Sequence, residues 1–307
     1  MQISGRTQVV GIIGDPVAHS LSPAMHNAAF RALKLDFAYV AFHVRPAQVR
    51  QALDGIRALG IAGVNVTVPH KEGVIKWLDA ISPTARRAGA VNTIVNRNGR
   101  LHGENTDVAG FLRALREVRF QIRGCRALVV GAGGVARAVL TALAEGQAAE
   151  VTVANRTVVR ARRLARAVHS RGLQVIAAPL ATLQDRQRLA AVDLVVNATS
   201  LGLHGERFFP LAYGATPRSC LFVDLIYGRR TDFLARAARS RRRTVDGSGM
   251  LVHQGAAAFT FWTGRAAPVA VMRAALRTAP WARPRARPHA APRRRTKVKI
   301  DKGPAPE

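Results

Sequence analysis

The sequence predicts an α/β protein of two domains, the second built on a parallel sheet. Three observations predict it. The chain has 307 residues, too many for one typical compact domain and enough for two. From Gln8 onward, short apolar runs alternate with amphipathic stretches, the pattern of strands alternating with helices. Between Arg126 and Ala154 a strand, a glycine-rich turn, a helix and a second strand follow one another, which makes a βαβ unit.

Each element has a local reason. Residues 8–13 form an apolar run that stops at Gly14-Asp15-Pro16. Ser22 followed by Pro23 reads as an N-cap and a proline in the first turn, opening a helix to about Leu33. Residues 37–44 read as a strand and 46–59 as a helix. Val64-Asn65-Val66-Thr67-Val68 alternates strictly. Its three valines should face a core, with Asn65 and Thr67 sharing the opposite face, open to a ligand. Asn98-Gly99 marks a hairpin between short strands. The bland alternative for Asp107 is a mere N-cap of a helix over residues 108–118. In the second half, 126–130 and 150–154 are strands flanking a helix at 135–144. Apolar runs at 194–196 and 221–223 extend the parallel sheet, and 250–263 and 268–277 read as closing helices.

Composition narrows the functional classes. No stretch approaches the roughly 18 uninterrupted apolar residues of a membrane span, and the N-terminus lacks a basic region followed by a long apolar one. Cys125 and Cys220 have no metal-ligand spacing and make no disulfide framework. A reduced, cytoplasmic setting is expected, with no metal. Lys and Arg number 47 against 18 Asp and Glu, a formal charge of +29. Arginines such as Arg162, Arg163 and Arg166 recur along one amphipathic helix, so the excess reads as solvated helix faces that attract anionic small molecules. Residues 281–307 hold many Pro and Arg and almost no large aliphatics, the composition of a disordered basic tail. Nucleic acid is therefore not an expected partner of the folded part, and the tail is the one candidate for gripping nucleic acid or an acidic partner.

The glycine-rich turn points to a dinucleotide. Gly131-Ala132-Gly133-Gly134-Val135-Ala136 follows a strand and opens a helix. Gly131 permits the tight turn. Gly133 lets the backbone approach a pyrophosphate without a Cβ in the way, and the helix N-terminus offers free N–H groups. At the end of the next strand stand Asn155-Arg156-Thr157, where NAD sites usually carry Asp or Glu for the ribose 2′-hydroxyl. Arg156 suits a 2′-phosphate, Thr157 can add its hydroxyl, and Arg160 lies one helical turn on. The cofactor read from these residues is NADP(H).

The first half carries polar residues in apolar settings. His19-Ser20-Leu21-Ser22-Pro23 places two hydroxyls beside a helix N-terminus, which suits a carboxylate. Lys71 follows Asn65, Thr67 and Pro69. Gly89-Ala90-Val91-Asn92-Thr93 and Gly103-Glu104-Asn105-Thr106-Asp107 come next. These stretches, with GAGGVARA, ANRT, NATSLG and DGSGMLVHQGAAAF, stand in the order of the shikimate dehydrogenases. The sequence closely resembles that family from about Val10 to about Arg277.

The resemblance implies a two-domain fold. A substrate domain covers 1–107 plus 250–280, a Rossmann-type NADP-binding domain covers 108–249, and the cleft between them closes by a hinge. It implies the reversible NADPH-dependent reduction of 3-dehydroshikimate to shikimate, in aromatic amino-acid biosynthesis. By resemblance, Lys71 and Asp107 are the catalytic pair. Ser20, Ser22 and Thr67 take the substrate carboxylate, and Asn92 and Asp107 take ring hydroxyls. Asn65 orders the site, Gln254 reaches in from the closing helix, and Tyr227 lies near the nicotinamide pocket. Thr199 and Met250 join the cofactor contacts. His19 and His26 receive structural roles only. Two positions depart from the family's habit: Gly228-Arg229-Arg230 where a proline often follows the tyrosine, and Val108 where glycine is common. An enzyme of the same fold acting on quinate or aminoshikimate is the nearest alternative, and the retained Ser22 favours shikimate. A binding protein that had lost activity would have no chemical reason to keep Lys71 and Asp107. Monomer and homodimer stay open.

Overall fold

A computed structural model describes residues 3–168 and 173–278, so the expected tail at 281–307 lies outside the described residues. The described chain forms two six-stranded sheets. The first holds β1 (Gln8–Gly14), β2 (Phe37–His43), β3 (Gly63–Val66), β4 (Ala80–Ile81), β5 (Thr93–Arg97) and β6 (Arg100–Glu104) in the order β2-β1-β3-β5-β6-β4. Its β1, β2 and β3 are parallel, while the hairpin β5–β6 starts antiparallel to β3. The hairpin turns at Asn98 and Gly99, both with positive φ (52° and 82°), the backbone that an Asn-Gly pair adopts most easily. Helices α1 (Ser22–Ala32), α2 (Val49–Ala58) and α3 (Pro83–Ala88) accompany this sheet. In α2, Val49, Leu53 and Ile56 are buried on one face at the spacing of an amphipathic helix. Each such side chain contributes roughly 1.5–3 kcal/mol when fully buried.

Helix α4 (Thr106–Glu117) leads into the second sheet, built from β7 (Arg126–Val130), β8 (Glu150–Ala154), β9 (Gln174–Ala178), β10 (Leu194–Asn197), β11 (Leu221–Asp224) and β12 (Arg243–Val245). All its pairings are parallel, in the order β12-β11-β10-β7-β8-β9. Helices α5 (Gly134–Glu145), α6 (Val158–Ala167), α7 (Arg186–Leu189) and α8 (Asp232–Arg239) connect it. Apolar clusters cover both faces, as parallel sheets require. The chain then returns through α9 (Ser248–Thr263) and α10 (Val269–Thr278) to the first sheet, where Leu251, Val252, Phe259, Met272 and Leu276 pack with Met25 and Phe30 of α1. Helices α4 and α9 press together at Gly110, where a Cβ would come within 2.9 Å of the Gln254 backbone nitrogen.

Two expectations and one alternative need correction. Ser22 is not a cap but the first residue of α1; Leu21 holds the cap position and no side chain caps the helix. Asp107 lies inside the first turn of α4, and the cap is Asn105, whose side chain accepts from the Val108 N–H. The run Glu104-Asn105-Thr106-Asp107 offers several cap-competent side chains, and the chain uses the earlier one. Val68 does not face a core. Strand β3 ends at Val66, before Pro69, which has no N–H for a ladder, and Val68 is 63% exposed.

Candidate active site

The carboxyl ends of the parallel strands define the site. In the second sheet β7 lies between β8 and β10, so the chain winds to opposite sides from it. Such a switch point opens a crevice beyond the strand ends. A cleft of about 730 Å³ lies here and is shared by both sheets. The first sheet lines it with Ser20, Ser22, Asn65, Thr67, Lys71 and Asn92. The second lines it with residues 130–135, Asn155, Arg156, Arg160, Thr199 and Tyr227, and α9 adds Met250 and Gln254.

Lys71 enters from the turn after β3. His70 anchors that turn with a ring nitrogen 2.6 Å from the Val44 carbonyl, and the Lys71 carbonyl accepts from the Val91 N–H at 2.8 Å. The lysine stem lies against the start of α5, where a Cβ on Gly134 would stand 3.3 Å from Lys71 Cβ. Its Nζ donates to Asp107 Oδ2 at 2.7 Å, with both side chains largely buried. Asn92 Nδ2 donates to Asp107 Oδ1 and to Thr106 Oγ1, each at 2.9 Å, and to Gln254 Oε1 at 3.4 Å. Asn92 Oδ1 accepts from the Thr106 N–H at 2.7 Å. The carboxylate is thus gripped on both oxygens, and the ammonium keeps hydrogens free for the cleft.

The hydroxyl pair lies at the other end. Ser20 Oγ accepts from the Ser22 N–H at 3.2 Å, which leaves its own O–H to donate into the cleft. Ser20 and Ser22 are both buried beside the N-terminus of α1, whose first turn holds no acidic residue. A carboxylate is favoured there. Thr67 donates its N–H to the Ile13 carbonyl at 2.9 Å and lines the cleft.

The dinucleotide side has the features the fold requires. Gly131 has φ +113°, and a Cβ on it would sit 2.8 Å from the Ala198 carbonyl oxygen. No side chain caps α5 at Gly133, and a Cβ there would meet nothing within 4 Å. The first-turn N–H groups are therefore free for an anion, with room for it beside Gly133. Asn155 Nδ2 donates to the Thr157 carbonyl at 2.9 Å and shapes the turn that presents Arg156 and Arg160. Thr199 Oγ1 donates to Asn197 Oδ1 at 2.7 Å. Tyr227 is placed by Asp224, which accepts from Asn197 Nδ2, the Ile226 N–H and Thr231 Oγ1 at 3.0, 3.0 and 2.6 Å. Burial pushes the Asp224 carboxyl up, and those three donors pull it back. Burial also raises the Tyr227 phenol. These residues fit NADP(H).

Two of the expected cofactor residues fall outside the cleft lining. Ala136 is fully buried in the core on the inner face of α5. Thr157 is exposed beyond the turn and contributes its carbonyl to Asn155. The other expected residues converge. Sequence reasoning missed Thr93, whose Oγ1 stands 3.2 Å from Thr106 Oγ1 inside the Asn92 network, although it lay within a motif already noted. It also missed Glu206 and Phe209, which line the cleft from the loop after β10. No periodicity or spacing marks them.

Comparison with known proteins adds an independent line. Residues 12–94 match the shikimate dehydrogenase substrate binding domain. Residues 114–229 match the shikimate/quinate 5-dehydrogenase family, and 247–277 the shikimate 5′-dehydrogenase C-terminal domain. The chain is 48% identical over 282 residues to shikimate dehydrogenase (NADP(+)) of Moorella thermoacetica, covering 91% of this chain and 96% of that one. It resembles the crystal structure of shikimate 5-dehydrogenase from Listeria monocytogenes in complex with shikimate and NAD, with TM-score 0.82, 34% identity, and 90% and 98% of the two chains covered. It also resembles the Thermus thermophilus enzyme in complex with NADP(H) and shikimate, with TM-score 0.78, 40% identity, and 88% and 98% covered.

Proposed function

The chain belongs to the shikimate dehydrogenase family, and on that premise we propose how its residues perform the reversible NADPH-dependent reduction of 3-dehydroshikimate to shikimate. The observation that carries the reading is the Lys71–Asp107 pair, set in one cleft between a carboxylate-binding hydroxyl pair and an uncapped, glycine-lined helix N-terminus.

Ser20 and Ser22 hydroxyls bind the substrate carboxylate, helped by Thr67. Asn65, Asn92 and Gln254 hold ring hydroxyls. The cofactor supplies the hydride when bound. Gly131, Gly133 and the first turn of α5 hold its pyrophosphate, and Arg156 and Arg160 take the 2′-phosphate. Lys71 Nζ stands where negative charge develops on the carbonyl oxygen. It stabilises that charge and delivers a proton to it. Asp107 Oδ2 orients the ammonium, and Asn92 holds Asp107 in turn. In the reverse direction Lys71 takes the proton from the substrate hydroxyl. Residues 1–107 with 250–280 act as the substrate unit and 108–249 as the cofactor unit. Closure of the cleft excludes water from the reacting centre.

Among the described residues no helix is long and apolar enough to cross a membrane. We place the enzyme in the cytoplasm, a reading supported by two buried free thiols, Cys125 and Cys220. Its partner is a small hydroxylated acid, and it works as a monomer or homodimer.

The test is NADP⁺ reduction by shikimate, with quinate and NAD⁺ as paired controls. Turnover confined to shikimate and NADP⁺ is expected. Turnover only with quinate or NAD⁺ would move the reading to a sister activity, and none with any pair would sink it.

A further inference from the structure

Tyr39 belongs to none of the motifs that led to the cleft, yet it is bound to them. It sits on β2 and is buried. Its hydroxyl donates to Asn65 Oδ1 at 2.7 Å. The amide of Asn65 donates to the Asn92 carbonyl at 3.2 Å and to Thr93 Oγ1 at 3.0 Å. A primary amide has two hydrogens and two acceptor lone pairs. Both hydrogens and one lone pair of Asn65 are engaged within the protein, so a single lone pair of Oδ1 is left for the cleft. We propose that Tyr39 is a positioning residue for substrate binding, holding Asn65 so that it meets a substrate hydroxyl as an acceptor. The proposal rests on the reading that a hydroxylated cyclic acid binds beside Asn65.

Tyr39 is itself held from several sides by one helix. As a residue of an edge strand, its outward backbone groups need partners, and Asn27 of α1 supplies both. Asn27 Oδ1 accepts from the Tyr39 N–H at 2.8 Å, and Asn27 Nδ2 donates to the Tyr39 carbonyl at 2.9 Å. One residue earlier, the His26 ring lies flat on the Tyr39 ring, with centroids 4.5 Å apart and planes 6° apart. Neither His26 nitrogen has a hydrogen-bond partner among the described residues, so the histidine acts through its face. Trp262 tilts against both rings. Ser22 lies one turn before His26 on the same helix face. Tyr39 therefore joins the carboxylate-binding end of the site to the hydroxyl-binding end. Burial raises its phenol well above the ordinary tyrosine value, which keeps it a donor.

Tyr39→Phe keeps the ring and its stacking and removes only the donor. The expected result is a rise of about tenfold in KM for shikimate, equivalent to about 1.4 kcal/mol. At the same time kcat should stay within about twofold and KM for NADP⁺ should be unchanged, the signature of lost ground-state binding. In an Asn65→Ala background the same substitution should add nothing, because the two residues act as one unit. An unchanged KM for shikimate would overturn the proposal. So would parallel rises in both KM values, or a full effect persisting in Asn65→Ala, since a purely structural tyrosine behaves that way. Wild-type enzyme is measured first: a failure to turn over shikimate would overturn the functional reading itself, and the proposal with it.

Discussion

Lys71 Nζ and Asp107 Oδ2 stand 2.7 Å apart although 36 residues separate them in the chain. The contact joins the turn after β3 to the first turn of α4, and both residues line the shared cleft. The lysine stem also lies on Gly134 at the start of α5, so a single side chain connects the turn after β3 with α4 and α5. Removing it should therefore strike the chemical step. Lys71→Ala is expected to lower kcat by about 10²–10⁴-fold, the usual contribution of a positioned proton donor. KM values should change much less. Asp107→Asn keeps the shape but loses the charge that orients the ammonium, and kcat should fall here too. Steady-state kinetics by cofactor absorbance check both. A Lys71→Ala enzyme with wild-type kcat would remove the lysine from the mechanism.

Gly131 and Gly133 lie two residues apart and should fail differently when given a methyl group. Gly131→Ala must hold φ near +113° and push a Cβ to 2.8 Å from the Ala198 carbonyl oxygen. A strained backbone of this kind costs roughly 1–3 kcal/mol, so thermal stability should drop. Gly133→Ala meets no protein atom within 4 Å and has φ −98°, so Tm should be nearly unchanged. The new methyl enters the space reserved for pyrophosphate, and KM for NADP⁺ should rise at least about tenfold as a helix-terminus anion contact is blocked. Calorimetry and kinetics on the two variants separate these outcomes. Equal loss of stability in both would remove Gly133 from the cofactor site.

What the sequence disclosed and what it concealed divide along physical lines. The β7–α5–β8 unit was legible because an apolar run, a glycine turn and an amphipathic helix follow each other in a short span. The Asn98-Gly99 hairpin was legible because only a few residue pairs take two successive positive φ values. Strands β9 and β12 were not, because both lie at the sheet's edges, where no long apolar run is needed, and β12 has only three residues. The cap at Asn105 was hidden among neighbours of equal capping strength. Tyr39 was invisible as a site residue, since its value comes from pairing with Asn27 and Asn65, which folding alone brings together. Glu206 and Phe209 belong to an irregular loop and carry no periodic signal.

Arg156 should decide between the two nicotinamide cofactors. It lines the cleft at the end of β8 with no carboxylate at the neighbouring positions Asn155 and Thr157. A charge-assisted hydrogen bond of this type is worth about 1.5–3 kcal/mol, which corresponds to roughly 10–100-fold in affinity. Arg156→Ala should raise KM for NADP⁺ by that factor and leave KM for NAD⁺ almost unchanged. Paired kinetics with the two cofactors give the answer. If both KM values rose together, the arginine would be holding the adenine or the loop rather than the 2′-phosphate.

His26 should make the protein lose stability as pH falls through the weakly acidic range. It is fully buried, neither nitrogen is hydrogen-bonded, and burial lowers its pKa to about 3 from an ordinary 6.5. In that window the unfolded chain takes up a proton that the folded chain refuses. The unfolded state thus binds more protons, and stability rises with pH. The full contribution is present above about pH 6.5 and declines progressively toward pH 3. Each unit crossed costs at most about 1.4 kcal/mol. For a chain of this length that corresponds to about 2 °C in Tm. Carboxylates such as Glu117, lowered by contacts with His253 and Arg273 against an opposing burial effect, add an acid-side loss of their own, mostly below about pH 4.5. The difference between wild type and a variant isolates His26. His26→Phe, with His26→Leu as a second choice should the larger ring crowd Gly255, should flatten the decline of Tm between pH 6.5 and 4.5. Identical pH profiles for wild type and both variants would mean that His26 is solvated or charged in the folded protein. Its place as a neutral plate beneath Tyr39 would then have to be given up.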